Sequence, residues 1–168
     1  RLRPLAETDL RRIYDWQRDP ALYDHLVGSR RDVDWHEARD WMIRHWLPQG
    51  PDYRYALCAG PEGGIVGCVY LLSVTGDPGA LEFHIFIGDA AQRGLGIGAA
   101  AQAEALKRGF DDLGADAVRL EVLATNAAAR RIYAAAGFVE HGRRTVGKPA
   151  GPVEAIAMTL TRDAYRAR

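Results

Sequence analysis

The residues best placed to do chemistry begin with Arg93-Gly-Leu-Gly96-Ile-Gly98, set between the strand-like run ALEFHIFIG and an alanine-rich, helix-favouring run. A helix start leaves backbone N–H groups unpaired and partly positive. An anion such as a pyrophosphate can approach them directly where the preceding residues carry no side chain. Gly94, Gly96 and Gly98 supply that bareness, and Arg93 adds a full charge. A plain tight turn is the competing reading of the same spacing. No Gly-Lys-Ser/Thr follows, so this is not a Walker loop, and Gly94-x-Gly96-x-x-Ala99 fits a dinucleotide fingerprint only loosely. Just upstream, Glu82 and His84 share one face of the strand-like run, opposite Leu81, Phe83, Ile85 and Ile87. A histidine with its ordinary pKa of about 6.5 can act as a base without tuning. Decoration of a wet sheet face is the alternative use of both residues.

The elements that position these groups follow from the hydrophobic period. RLRPLAETDL predicts a short extended entry with Thr8 as an N-cap, and Leu10, Ile13 and Tyr14 then share a helical face that ends before Pro20. Asp34 and Glu37 form a capping box for a second helix carrying Trp35, Ala38, Trp41, Met42 and His45, stopped by Pro48 and Gly50. YRYALCA and GIVGCVYLLSV read as strands joined by the turn GPEGG, and TGDPG turns the chain into the strand of residues 80–88. The glycine turn leads into a helix to about Leu113, followed by the strand AVRLEVLA. Asn126 caps the helix AAARRIYAAA, which stops at Gly137, and a hairpin around GKPAGP ends the chain. The order β-α-α-β-β-β-α-β-α-β-β makes a mixed α/β fold whose sheet is partly parallel.

Composition narrows the class. The chain of 168 residues is expected to form one domain over 1–168, with 22 basic and 22 acidic side chains that cancel. That balance gives no basic excess for nucleic acid. Apolar runs too short for a membrane span, with no signal-peptide pattern, lead to the expectation of a cytoplasmic protein. Cys58 and Cys68 match no zinc spacing, and His25, His36 and His45 fall in no metal motif, so no metal is expected. Ser29 and Ser73 are the only serines, and neither lies in a Gly-x-Ser-x-Gly elbow, which disfavours a hydrolase. Residues 1–60 carry ten acidic and ten basic side chains, so no charge bias announces the partner molecule. Trp16, Tyr23, Trp35, Trp41 and Trp46 are able to line a pocket there, though most are more simply packing residues.

Arg93-Gly-Leu-Gly96-Ile-Gly98 after a strand resembles the Arg/Gln-x-x-Gly-x-Gly/Ala signature of the GNAT-type N-acetyltransferases. LEVLATNAAARRIYAAAGF is similar to that family's second block, with Asn126, Ala129, Tyr133, Gly137 and Phe138 at matching positions and Ile132 in place of the commoner leucine. The N-terminal LRPLAETDL and IYDWQRDP resemble the subgroup of ribosomal-protein, amino-sugar and aminoglycoside N-acetyltransferases. The resemblance implies a sheet of about seven strands with about four helices, and a gap between strands four and five for the pantetheine arm of acetyl-CoA. It implies that Gly94, Gly96, Ile97, Gly98 and Ala99, with Arg93, hold the pyrophosphate, and that Phe86 and Ile87 lie along the arm. Asn126 would meet the pantetheine or a neighbouring carbonyl, and Arg130 or Arg131 the 3′-phosphate.

By the same resemblance, a primary amine of a small molecule or a protein N-terminus attacks the thioester, and Tyr133 is the general acid. Core packing is the competing use of Tyr133. The base is Glu121, Glu82, His84 or a water relay. Glu121 sits twelve residues before Tyr133, the separation of the base and acid proposed in ribosomal-protein N-terminal acetyltransferases. A homodimer is frequent in the resembled family. A non-catalytic CoA-binding regulator on the same fold is the alternative from another class, and a nucleotide-binding protein is a third.

Overall fold

The computed structural model describes residues 1–28, 32–48, 50–59 and 63–168. Seven strands form one sheet: β1 (Leu2–Pro4), β2 (Tyr53–Cys58), β3 (Ile65–Val74), β4 (Asp77–Ile87), β5 (Ala117–Leu123), β6 (Val139–Val146) and β7 (Val153–Thr161). Their order is β1-β2-β3-β4-β5-β7-β6. Among the described strands only β4 and β5 run parallel, joined by the crossover helix α4 (Ile97–Lys107). The helices are α1 (Leu10–Gln17), α2 (Pro20–Tyr23), α3 (Trp35–Trp46), α4 (Ile97–Lys107), α5 (Ala127–Ala135) and α6 (Arg162–Arg166). The short α2 and α6 are additions to the order read from the sequence.

Strand alternation sends β4 to two different cores. Phe83 is buried with Leu81, Ile85 and Ile87 around it, in the cluster that also holds Ala101, Ala105 and Leu106 of α4 and Tyr133 of α5. Phe86, one residue out of phase, packs on the opposite face with Ile13 of α1, Leu22 of α2 and the rings of Trp16 and Tyr70. The period of two thus puts α4 and α5 on one face and α1–α3 on the other, with Glu82 and His84 on the second.

Several local expectations need correction. Thr8 is not the cap of α1. A 3-10 turn covers Glu7–Asp9, and the buried Asp9 carboxylate accepts from the Ala6 amide and from both terminal nitrogens of Arg3. A carboxylate with three donors outcompetes a threonine hydroxyl for the role of organising the entry. At α3, Asp34 accepts from the His36 amide at 2.8 Å, and no reciprocal bond from Glu37 appears. The turn before β4 is confined to Thr75-Gly76, with Gly76 at φ 80, so Asp77, Pro78 and Gly79 already belong to the strand. The helix after the glycine turn reaches Leu113 as expected, but its last stretch, Arg108–Asp112, widens into a π-helical turn. The predicted turn GPEGG has its residues 60–62 outside the described ones.

Candidate active site

The parallel pairing of β4 and β5 extends only over Ala80–Glu82 against Ala117–Arg119. Beyond it each strand keeps its outer partner, β4 with β3 to Ile87 and β5 with β7 to Leu123. The two strands therefore part after Glu82, leaving a wedge whose edges carry unshared backbone donors and acceptors. This is the splay that the resemblance implied.

At the open end of the wedge stands the glycine turn. Gly94 and Gly96 have φ of 76° and 78°, where an L side chain is strained, so the backbone itself demands both glycines. Gly96 is the N-cap of α4 and has no side chain to give, and the first bond into the helix is Ala100 N–H to Gly96 O. Among the described residues the amides of Ile97, Gly98 and Ala99 have no acceptor. Gly98 is different from the other two. Its φ is not positive, and a Cβ there would meet only Ile87 Cδ1, at 3.8 Å. Neither strain nor crowding demands a glycine at this place, whereas a small residue of any kind keeps the neighbouring amides open to an anion. The cradle fits a pyrophosphate.

Arg93 is less available than its position in the motif suggests. Its Nε donates to Ile87 O at 2.9 Å and its Nη2 to Gly88 O at 3.2 Å, so the guanidinium clamps the end of β4 and lends its charge from there. Gly88 is required by packing, because a Cβ would lie 2.0 Å from Trp16 Cδ2. The Phe86 side chain faces away from α4, and its carbonyl lies beside Gly67 of β3. Arg130 is committed to Glu140 at 3.0 Å and to Ala124 O at 3.4 Å. Asn126 caps α5 through Ala129 N–H at 3.1 Å, while its Nδ2 donates to His25 O at 3.3 Å, the neighbouring carbonyl.

The candidate acid and bases divide between the two faces at the root of the wedge. Tyr133 sits on the α5 side, 8% exposed, its ring edge-on to Phe83 at 6.2 Å and tilted against Phe138 at 5.9 Å. Phe83 is the first β4 residue past the last pair with β5, so the phenol lies where the strands part. Burial pushes its pKa up to about 12, and among the described residues its hydroxyl makes no hydrogen bond. On the opposite face, His84 Nε2 lies 3.1 Å from Glu82 Oε1, both side chains being partly exposed. The hydrogen bond from His84 holds the Glu82 carboxyl below its usual range, outweighing desolvation, and Arg144 adds to the effect.

Glu121 shares that face but is engaged. Arg144 donates from Nε to Oε1 at 2.7 Å and from Nη2 to Oε2 at 2.6 Å, a two-pronged pair. Arg144 was not singled out from the sequence. The order β5-β7-β6 would have found it, since Glu121 lies opposite Ala157 and Arg144 opposite the neighbouring same-face Ala155. A cavity of about 170 Å³ is lined by Glu82, Glu121, Arg119 and His141. Among the described residues no three His, Cys, Asp or Glu side chains gather to hold a metal ion, and no helix is long and apolar enough to cross a membrane.

Comparison with known proteins agrees with this geometry. A family model described as an acetyltransferase (GNAT) domain matches residues 1–139. No match is found among curated proteins. Among solved structures the chain is similar to spermidine N-acetyltransferase from Vibrio cholerae in complex with CoA and spermine, at 21% identity and TM-score 0.88, covering 99% of this chain and 97% of that one. It is also similar to a chimera of the Vibrio cholerae enzyme SpeG and hSSAT, at 22% identity and TM-score 0.84, covering 100% and 98%. The Vibrio cholerae enzyme in complex with manganese ions gives 21% identity and TM-score 0.83, covering 100% and 95%. At these identities the likeness is one of fold. The family match, by contrast, runs through both motifs and every element that frames the wedge, and on it the chain belongs to the GNAT acetyltransferases, which take acetyl-CoA as co-substrate and acetylate an amine.

Proposed function

We propose that residues 1–168 act as one N-acetyltransferase domain on a small-molecule primary amine, with Tyr133 as general acid and His84, oriented by Glu82, as general base. The observation that carries this reading is the contrast between the two carboxylates on the acceptor face. Glu121 is held in a fork by Arg144, whereas Glu82 is hydrogen-bonded to an imidazole. With Nε2–H donating to Glu82, the neutral imidazole keeps its lone pair on Nδ1, the atom that takes the proton. Glu121 would have to leave a charge-assisted pair to do the same.

Acetyl-CoA, when bound, supplies the thioester carbonyl that the amine attacks. The amides of Ile97, Gly98 and Ala99 hold the pyrophosphate, and the pantetheine arm runs along the side of β4 that β5 leaves, past Phe86 and Ile87. His84 removes a proton from the incoming ammonium, freeing the nitrogen lone pair. As the C–N bond forms and the C–S bond breaks, Tyr133 gives its proton to the departing sulfur, and the second proton shed by the acylated nitrogen returns through water to the phenolate. With its pKa raised to about 12 by burial, the phenol carries its proton throughout the neutral range, so the proton is present when the sulfur departs.

Two supports bear on the acceptor. The structural neighbour's own ligand is spermine, which places polyamines first in the panel to be tested. The N-terminal resemblance to the ribosomal-protein, amino-sugar and aminoglycoside subgroup adds amino sugars, aminoglycosides and N-terminal peptides. A homodimer through β6, the mostly exposed outer strand of the sheet, goes with the same resemblance. The test is thiol release from acetyl-CoA across amino acids, polyamines, aminoglycosides, amino sugars and N-terminal peptides. Turnover with a small amine is expected. Activity confined to peptides would move the acceptor class, and release with none of them would favour the non-catalytic CoA-binding reading.

A further inference from the structure

The β6–β7 turn sends one side chain a long way across the molecule. Lys148 Nζ donates to Tyr23 O at 3.0 Å, to Gly28 O at 2.9 Å and to Leu26 O. An alkylammonium has three N–H donors, and each here has its own carbonyl. The three carbonyls belong to the end of α2 and the segment after it, which converge on a single charge. The turn is itself braced, Gly151 N–H bonding Lys148 O at 2.9 Å, so the lysine projects from a fixed base.

The segment gripped in this way joins the two halves of the acceptor face. Leu26 packs on the cluster that contains Phe86 of β4. Its neighbour Val27 packs on the cluster of Leu123, Val146 and Ala155, at the end of β5 and the facing strands β6 and β7. Consecutive residues therefore pack on two separate clusters, each of which includes a residue of one of the strands that have parted. Between them and α2, His25 O accepts from Asn126, the cap of α5. Residues Tyr23–Gly28 thus form a strap over the outer end of the wedge, on the side of Glu82 and His84.

We propose that Lys148 is a positioning residue for the acceptor, fastening the strap so that residues Tyr23–Gly28 form a fixed wall of the amine's binding site. The inference rests on the reading that this face receives the acceptor. Lys148 does not touch the reacting atoms. It acts through the strap, and its loss leaves the cofactor cradle on α4 untouched. The methylene stem explains why a lysine does this: it crosses apolar surface while only the ammonium needs partners.

The experiment compares wild type with Lys148→Met, which keeps the stem, and Lys148→Arg, which keeps the donors. With the fastest amine of the panel, Lys148→Met is expected to raise the acceptor KM by about tenfold or more with kcat within about threefold. The Kd for acetyl-CoA stays unchanged, and Lys148→Arg recovers most of the loss. An unchanged acceptor KM, a fall in kcat alone, or a parallel loss of acetyl-CoA affinity would each overturn the proposal. Hydrogen exchange gives a reading that needs no acceptor: peptides covering residues 20–28 should exchange about tenfold faster in Lys148→Met, while those of β4 and β5 do not change. Equal exchange over 20–28 overturns the latch. Absence of turnover with every amine would instead strike the proposed reaction, and exchange alone would then decide the strap.

Discussion

Gly98 offers a perturbation in which stability and binding move in opposite directions. It lies in the first turn of α4 with a φ that any residue adopts, and an added Cβ finds one ordinary contact, Ile87 Cδ1 at 3.8 Å. Replacing glycine within a helix by a good helix former gains up to about 0.8 kcal/mol, which in a domain of this size is about 2 °C in melting temperature. The cofactor account requires the opposite for binding. A leucine side chain stands between the pyrophosphate and the amides of Ile97, Gly98 and Ala99. Hydrogen bonds to a charged group contribute about 1.5–3 kcal/mol each. Losing two of them amounts to at least about 3 kcal/mol, a factor of about a hundred or more in Kd. Calorimetric titration with acetyl-CoA and a thermal melt of the free protein read the two effects separately. Gly98→Leu should melt no lower than wild type and bind acetyl-CoA about a hundredfold more weakly, while Gly98→Ala keeps its affinity within about threefold. Unchanged affinity in a well-folded Gly98→Leu protein would refute the cradle. A large fall in melting temperature would refute the claim that the fold leaves Gly98 free.

Other outcomes follow from the same geometry. Tyr133→Phe removes a hydroxyl without a partner among the described residues, so kcat should fall by about a hundredfold while melting temperature and acetyl-CoA affinity hold; equal turnover would take the phenol out of the reaction. Because burial raises the Tyr133 pKa from 10.0 to about 12 in the folded state, the proton is bound more tightly there than in the unfolded chain. Its contribution to stability is complete below pH 10 and is lost as pH rises through 12, and kcat should show no descending limb from this residue below pH 10. His84→Ala should lower kcat more than Glu121→Gln, whose exposed pair with Arg144 contributes at most about 1 kcal/mol to stability; the reverse order in pre-steady-state rates would transfer the base role to Glu121. Gly88→Ala drives a methyl into the Trp16 indole and should destabilise by about 1–3 kcal/mol in a denaturant melt, and an unaltered midpoint would show that Trp16 moves freely.

Local periodicity carried much of the fold. The alternation along residues 81–87 placed Phe83 in one core and Glu82 with His84 on the opposite face, because a strand's two faces are fixed by sequence parity alone. The glycine turn was legible for a similar reason: its function depends on missing side chains and backbone amides, which spacing reports directly. What sequence could not show was competition between partners. Arg93 reads as a phosphate ligand until the carbonyls of Ile87 and Gly88 claim it. Glu121 and Glu82 look equivalent until the β5-β7-β6 order brings Arg144 to one and the i+2 imidazole to the other. Thr8 looked like a cap because the buried pairing of Asp9 with Arg3 joins a strand to a turn. Lys148 lies more than a hundred residues from the carbonyls it binds, and no local pattern marks it. Each miss is a polar contact, from five or six residues apart at Arg93 to more than a hundred at Lys148, settled by the folded placement of donors and acceptors rather than by propensity.

The most direct test of the central claim is the stability of the protein with acetyl-CoA and with NAD. A ligand that binds only the folded state, present at about a hundred times its Kd, adds about 2.7 kcal/mol. For a domain of this size that corresponds to a rise of about 5–10 °C in melting temperature. Acetyl-CoA is predicted to give that rise and NAD none. A rise with NAD and none with acetyl-CoA would contradict the assignment of the wedge and its glycine cradle to coenzyme A.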